Sequence, residues 1–106
     1  MSLSTHVLNA VTGKPAAGVP VTLTDDSGVT LAVGDTDDDG RIKNLADTLP
    51  AGIYRLAFDT RSYFATLGIN GFYPEVVVAF EITEPDAHHH VPLLLSPYSY
   101  STYRGS

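Results

Sequence analysis

Alternation of apolar and polar side chains, rather than a helical period, dominates this chain. From Leu3 to Ala10 the residues divide into two faces, with Leu3, Thr5, Val7 and Asn9 on one and Ser4, His6, Leu8 and Ala10 on the other. That is the period-two pattern of a strand. Thr12-Gly13-Lys14-Pro15 interrupts it. The β-branched runs Val19–Thr24 and Val29–Val33 flank Asp25-Asp26-Ser27-Gly28 and predict a hairpin. Pro20 removes a ladder donor, so its strand begins late or lies at an edge there. After a turn over residues 35–40, Arg41-Ile42-Lys43 predicts a short strand, and Pro50-Ala51-Gly52 separates it from another at Ile53–Phe58. The single helical stretch is Thr60–Leu67, where Tyr63, Phe64 and Leu67 share a face and Gly68 is placed to end it. Glu75–Ile82 is nearly continuous apolar and predicts a strand buried at least in part on both faces. His89–Leu95 and Ser99–Arg104 complete the set. About eight short strands with turn signals between them, and one short helix, predict an all-β, antiparallel β-sandwich in one domain over residues 1–106.

Composition narrows the function classes. Six Lys and Arg against twelve Asp and Glu give a net charge of −6, which leaves no basic stripe to neutralise phosphates and argues against a nucleic-acid partner. No apolar run approaches the ~18–20 residues that span a bilayer, so no membrane partner is expected. The chain has no cysteine, hence neither a disulfide framework nor a thiol nucleophile. Met1-Ser2-Leu3-Ser4-Thr5-His6 has neither the charged nor the apolar region of a signal peptide. A cytoplasmic location is the default expectation, with periplasm and peroxisome also compatible.

Three clusters invite chemistry. Asp35-Thr36-Asp37-Asp38-Asp39-Gly40 opens like a calcium loop, but Ala46 stands where a bidentate Glu should close it and strands flank it, so a solvated turn is expected. In His88-His89-His90, the first and third share a strand face and the second points away. With His6 as a third ligand they would leave an open zinc position for water, yet no Cys or acidic ligand is marked out beside them. The spacing therefore favours a metal-free reading, and neither a metal nor another cofactor is expected. The third cluster is the C-terminal stretch, where Leu93-Leu94-Leu95 leads into Tyr98, Tyr100, Tyr103 and Arg104-Gly105-Ser106. Such a tail is worth ordering only if it packs and its polar end is used.

The residues from end to end resemble the transthyretin-like 5-hydroxyisourate hydrolases. The similarity runs through Ser4-Thr5-His6-Val7-Leu8-Asn9, Thr12-Gly13-Lys14-Pro15-Ala16, Asp39-Gly40-Arg41 and Phe72-Tyr73-Pro74-Glu75. It continues through His90-Val91-Pro92-Leu93-Leu94-Leu95-Ser96 and ends on Tyr103-Arg104-Gly105-Ser106. Asn9 stands where the family often has Asp. The resemblance implies a homotetramer of sandwiches, two dimers around a channel, with active sites at the dimer–dimer interface. It implies hydrolysis of 5-hydroxyisourate, the product of urate oxidation, to 2-oxo-4-hydroxy-4-carboxy-5-ureidoimidazoline. Carried over by position, His6, Arg41, His90 and Ser106 are the catalytic group, and His6, Arg41 and Tyr103 bind substrate.

The chemistry of these side chains suits the reaction. Opening a cyclic amide needs an activated water, a donor for the oxyanion and a proton for the leaving nitrogen. Histidine moves protons near neutral pH, and an arginine forks two donors onto a carbonyl or oxyanion. His6 and His90 are expected to handle the water and its proton, and Arg41 to hold the substrate's anionic edge. The Ser106 hydroxyl is expected to orient water or substrate, with a terminal carboxylate there anchoring a neighbouring cation. The sequence leaves open which histidine is the base. The competing class is a ligand carrier of the transthyretin kind, which shares the fold and channel but lacks the terminal Tyr-Arg-Gly-Ser and the polar histidines.

Overall fold

A computed structural model describes residues 3–106; Met1 and Ser2, the start of the stretch read as carrying no signal peptide, lie outside them. The strands are β1 (Leu3–Asn9), β2 (Lys14–Pro15), β3 (Pro20–Asp25), β4 (Thr30–Asp35) and β5 (Arg41–Ala46). They continue as β6 (Gly52–Phe58), helix α1 (Thr60–Thr66), β7 (Val76–Ile82), β8 (His89–Ser96) and β9 (Ser99–Thr102). One sheet runs β2-β1-β8-β9 with β5 also paired to β1, and the other runs β4-β3-β6-β7. Their facing sides bury Leu3, Val7, Val21, Leu23, Leu56, Phe58, Val76, Leu93 and Leu95, and Phe64 of α1 packs into the same core. Leu93 and Leu95 carry the C-terminal stretch into this core, as its apolar run requires, while β9 stays exposed and is held by antiparallel pairing to β8.

The expected β-sandwich is present, with one pairing of the opposite sense. β1 and β8 run parallel, aligned from Leu3 beside His89 to Asn9 beside Leu95. β8 is entered from the other sheet, through residues 83–88, so no hairpin dictates its direction. Alternation fixes which face is apolar and leaves strand direction free. The parallel register sets Thr5 beside Val91 and Val7 beside Leu93 on the buried face, and Ser4 beside His90 and His6 beside Pro92 on the outer one.

Three local expectations are corrected. β7 is not buried on both faces: Val76, Val78 and Ile82 point inward, while Val77 is 44% exposed because it lies on the outer, solvent-facing side of the sheet. The helix ends at Thr66, so Leu67 falls out of helical phase and is 48% exposed instead of sharing the buried face of Tyr63 and Phe64. Lys14-Pro15, read as a break, forms a short strand against Leu8 and Asn9. Pro20 is the first residue of an inner strand, a position that tolerates a missing donor. Asp59 caps α1, its carboxylate accepting from the Ser62 amide and hydroxyl, which hold its pKa below the usual range.

Candidate active site on the outer face of the five-stranded sheet

Each candidate residue reaches the site through a local device. The turn before β5 is built by Asp37, whose Oδ1 accepts the amides of Asp39 (2.9 Å) and Arg41 (3.0 Å). Those bonds, that to Arg41 foremost, keep the Asp37 carboxyl below its ordinary pKa. Gly40 follows at φ 74°, and its carbonyl accepts the Val7 amide at 2.7 Å. A Cβ on Gly40 would stand 2.4 Å from the Val7 carbonyl oxygen, so only glycine lets the turn sit this close to β1. The acidic run is therefore a self-bonded turn that delivers Arg41 to β5, opposite His6 of β1.

Across β1, the parallel register brings in the histidines of β8. Ser4 Oγ lies 2.7 Å from His90 Nδ1 and 2.9 Å from His88 Nε2, and the two imidazoles stack with centroids 6.4 Å apart. The tail closes the group, since the Gly105 amide donates to the His90 carbonyl at 2.9 Å in an isolated bridge.

A cleft of about 240 Å³ is lined by Ser4, Thr5, Arg41, Lys43, His88, His90 and Ser106. His6 lines an adjoining hollow that shares Arg41 and Lys43. The structure thus brings Arg41, His90 and Ser106 together, with His6 next to them. Tyr103 is 59% exposed and lines a different cavity of about 310 Å³, with Val78, Phe80, His89 and Thr102 among its walls. His89 points to the buried side, as the alternation requires.

Electrostatics bias His90 toward its neutral form. Burial, and then the nearby positive or protonatable His6, His88 and Arg41, push its pKa below the ordinary value, while hydrogen bonding to the Ser4 backbone opposes them. A neutral imidazole beside a permanent guanidinium supplies both a proton acceptor and an oxyanion donor, which suits hydrolysis of an acyl-type bond. Ser4 was not among the expected site residues, and His88 entered only as a candidate metal ligand. Their signal was present, since alternation puts each on the face of its catalytic neighbour, but their meeting depends on the parallel register.

A two-sheet sandwich with one short helix is the architecture of the transthyretin class, and here the outer face of one sheet carries a cleft lined by histidines and an arginine. The HIUase/Transthyretin family description matches residues 3–105, and the chain belongs to that family. It is 51% identical over 109 residues to a 5-hydroxyisourate hydrolase of Salmonella typhimurium, covering 98% of this chain and 80% of the relative. Among solved structures, the 5-hydroxyisourate hydrolase of Klebsiella pneumoniae superposes at a TM-score of 0.92 with 40% identity, covering both chains in full. Sea bream transthyretin in complex with thyroxine superposes at 0.91 with 35% identity, covering 99% of this chain and 95% of that one.

Proposed function

We propose that this chain hydrolyses 5-hydroxyisourate to 2-oxo-4-hydroxy-4-carboxy-5-ureidoimidazoline in urate degradation. The catalytic residues in this reading are His6, Arg41, His90 and Ser106, with His6, Arg41 and Tyr103 on the substrate. The observation that carries it is the meeting of Arg41, His90 and Ser106 in one cleft of a chain similar over its full length to hydrolases of that name.

In the first step water adds to the ring carbonyl, giving a proton to a neutral histidine, while Arg41 donates to the developing oxyanion. In the second the carbon–nitrogen bond breaks and the nitrogen takes the remaining hydroxyl proton. Ser106 orients the water. The residues alone provide this chemistry, and a chelator should leave it unchanged.

The cleft is open in one protomer. A homotetramer of two dimers, with active sites at the dimer–dimer interface, would cover it and bring Tyr103 of the assembly to the substrate. The exposed edges of β7 and β9 support pairing between copies, since an unpaired strand edge is a template for another strand. A cytoplasmic location belongs to the same proposal, and a cysteine-free chain is compatible with it.

The second reading is a small-ligand carrier, favoured by the likeness to transthyretin in complex with thyroxine. A cleft walled by titratable groups suits proton transfer better than retention of an apolar ligand. The deciding experiment generates 5-hydroxyisourate with urate oxidase and follows its ultraviolet decay with and without the protein and a chelator. Chelator-insensitive acceleration is expected. Decay at the spontaneous rate from folded protein would point to the carrier.

A further inference from the structure

Hydrolysis of a cyclic amide to a carboxylate releases one proton per turnover. Water's oxygen bonds to carbon, the carbon–nitrogen bond breaks, one water proton goes to the urea-like nitrogen, and the other must leave. In the proposed mechanism, on which this inference rests with His90 as the acceptor, a neutral histidine takes it, and a half-buried imidazole biased against charge cannot keep it. The fold puts an exit beside it.

We infer that Ser4 and His88 form with His90 a proton relay from the cleft to solvent, a role no part of the hydrolytic site assignment gives them. Ser4 Oγ is within hydrogen-bond distance of both rings, 2.7 Å from His90 Nδ1 and 2.9 Å from His88 Nε2. Ser4 itself is buried, and His88 is exposed. A hydroxyl has one proton to donate, so it donates to one ring and accepts from the other, and the two tautomers are coupled. When Ser4 donates to His88, His90 carries its proton on Nδ1 and presents a bare Nε2 to the cleft. Uptake of water's proton at Nε2 sends the Nδ1 proton to Ser4 Oγ and the Ser4 proton to His88 Nε2. His88, which is exposed, then releases a proton at its outward side. After product leaves and water re-enters the cleft, His90 Nε2 loses a proton to that water while His88 regains one, and the chain steps back. The relay thus serves to discharge His90 while substrate or product still occupies the cleft. Ser4 and His88 are positioning and relay residues; neither needs to touch substrate.

The test compares wild type, Ser4→Ala, Ser4→Thr, His88→Gln and His90→Ala by steady-state kinetics across an imidazole buffer series. Glutamine can still hydrogen-bond Ser4 but cannot carry a proton. His88→Gln and Ser4→Ala are expected to lower kcat about tenfold, short of the loss from removing an acid–base group because water substitutes slowly. KM should hold within about twofold, since the proposed substrate-binding residues His6, Arg41 and Tyr103 are untouched. Imidazole should restore kcat of His88→Gln in a saturable way while leaving wild type unchanged, and Ser4→Thr, which keeps the hydroxyl, should behave as wild type. Wild-type kcat in His88→Gln, or a loss that imidazole does not restore, would overturn the relay. His90→Ala separates the two failures: an inactive His90→Ala beside a fully active His88→Gln rejects only the relay, whereas an active His90→Ala rejects the assignment of His90 itself.

Discussion

Gly105 lies flat against the imidazole of His90. A Cβ at Gly105 would stand 2.4 Å from His90 Cδ2, closer than packed atoms tolerate, and a tight 3.1 Å from Pro92 Cγ. The Gly105 amide also donates to the His90 carbonyl. The tail thus fixes the ring from one side while Ser4 fixes Nδ1 from another. Gly105→Ala should displace the ring by a fraction of an ångström or more. Misplacement on the ångström scale can cost about 100-fold in rate, and a loss of that order in kcat is expected with the circular-dichroism melt nearly unchanged. Unaltered kcat would mean that the ring's position is not critical.

His6→Ala, Arg41→Ala and His90→Ala probe the proposed machinery directly. Each should lower kcat/KM by about 10²–10⁴, the range seen when an acid–base group or an oxyanion donor is removed. All three side chains lie on the outer sheet face and none is in the apolar core, so the fold should persist. The coupled decay assay with a melting curve on each variant checks this. Near-wild-type turnover in any of the three removes that residue from the mechanism.

The protonation of His90 has a definite sign. Its native pKa is depressed by burial and by His6, His88 and Arg41, with Lys43 and the Ser106 tail also around the cleft. The native imidazole therefore stays neutral below the ordinary midpoint of ~6.5. The unfolded chain takes up that proton first, so this group's contribution to stability is present above pH ~6.5 and is lost as pH falls from there through the native pKa. An NMR titration of His90 should show a midpoint below ~6.5, rising toward it in Arg41→Gln and His88→Gln as each removes a positive or protonatable neighbour. The acid limb of kcat/KM should follow the same midpoint. A midpoint at or above ~6.5 would contradict the electrostatic account.

How much of this was legible in the sequence depends on what kind of contact carries it. Period-two alternation located the strands, and the Gly and Pro punctuation located most turns, because both act on adjacent residues. The same alternation put Ser4 with His6, and His88 with His90. It could not join the two pairs, because strand direction and register come from packing of the whole sandwich. Leu67 was misplaced for a related reason: the helical period was right, but Gly68 at φ 68° ends the helix sooner than the apolar spacing suggests. The residue-level resemblance supplied His6, Arg41, His90 and Ser106. The reason glycine precedes the last serine appeared only once the tail was seen against His90.

Asn9 shows that a position near the catalytic strand can be structural. It is buried, and its Nδ2 donates to the Tyr63 hydroxyl at 3.1 Å while its Oδ1 accepts the amides of Val11 and Thr12 at 3.0 and 3.2 Å. One side chain thereby ties the turn after β1 to helix α1. In Asn9→Ala the two amides and the buried hydroxyl lose their partner together. Unsatisfied buried groups cost about 1–3 kcal/mol each, partly relieved where water enters, so a destabilisation of about 2–4 kcal/mol is expected in urea unfolding. Asn9→Asp should behave differently. A carboxylate still accepts both amides, and the Tyr63 hydroxyl can reverse its role and donate, so every group keeps a partner. That variant should lie within about 1 kcal/mol of wild type near neutral pH and weaken as acid protonates the new carboxylate. Because neither substitution reaches the outer face, kcat at permissive temperature should be unchanged in both. A stability loss in Asn9→Asp as large as in Asn9→Ala would show that the amide donor to Tyr63, not the two accepted amides, holds the turn to the helix.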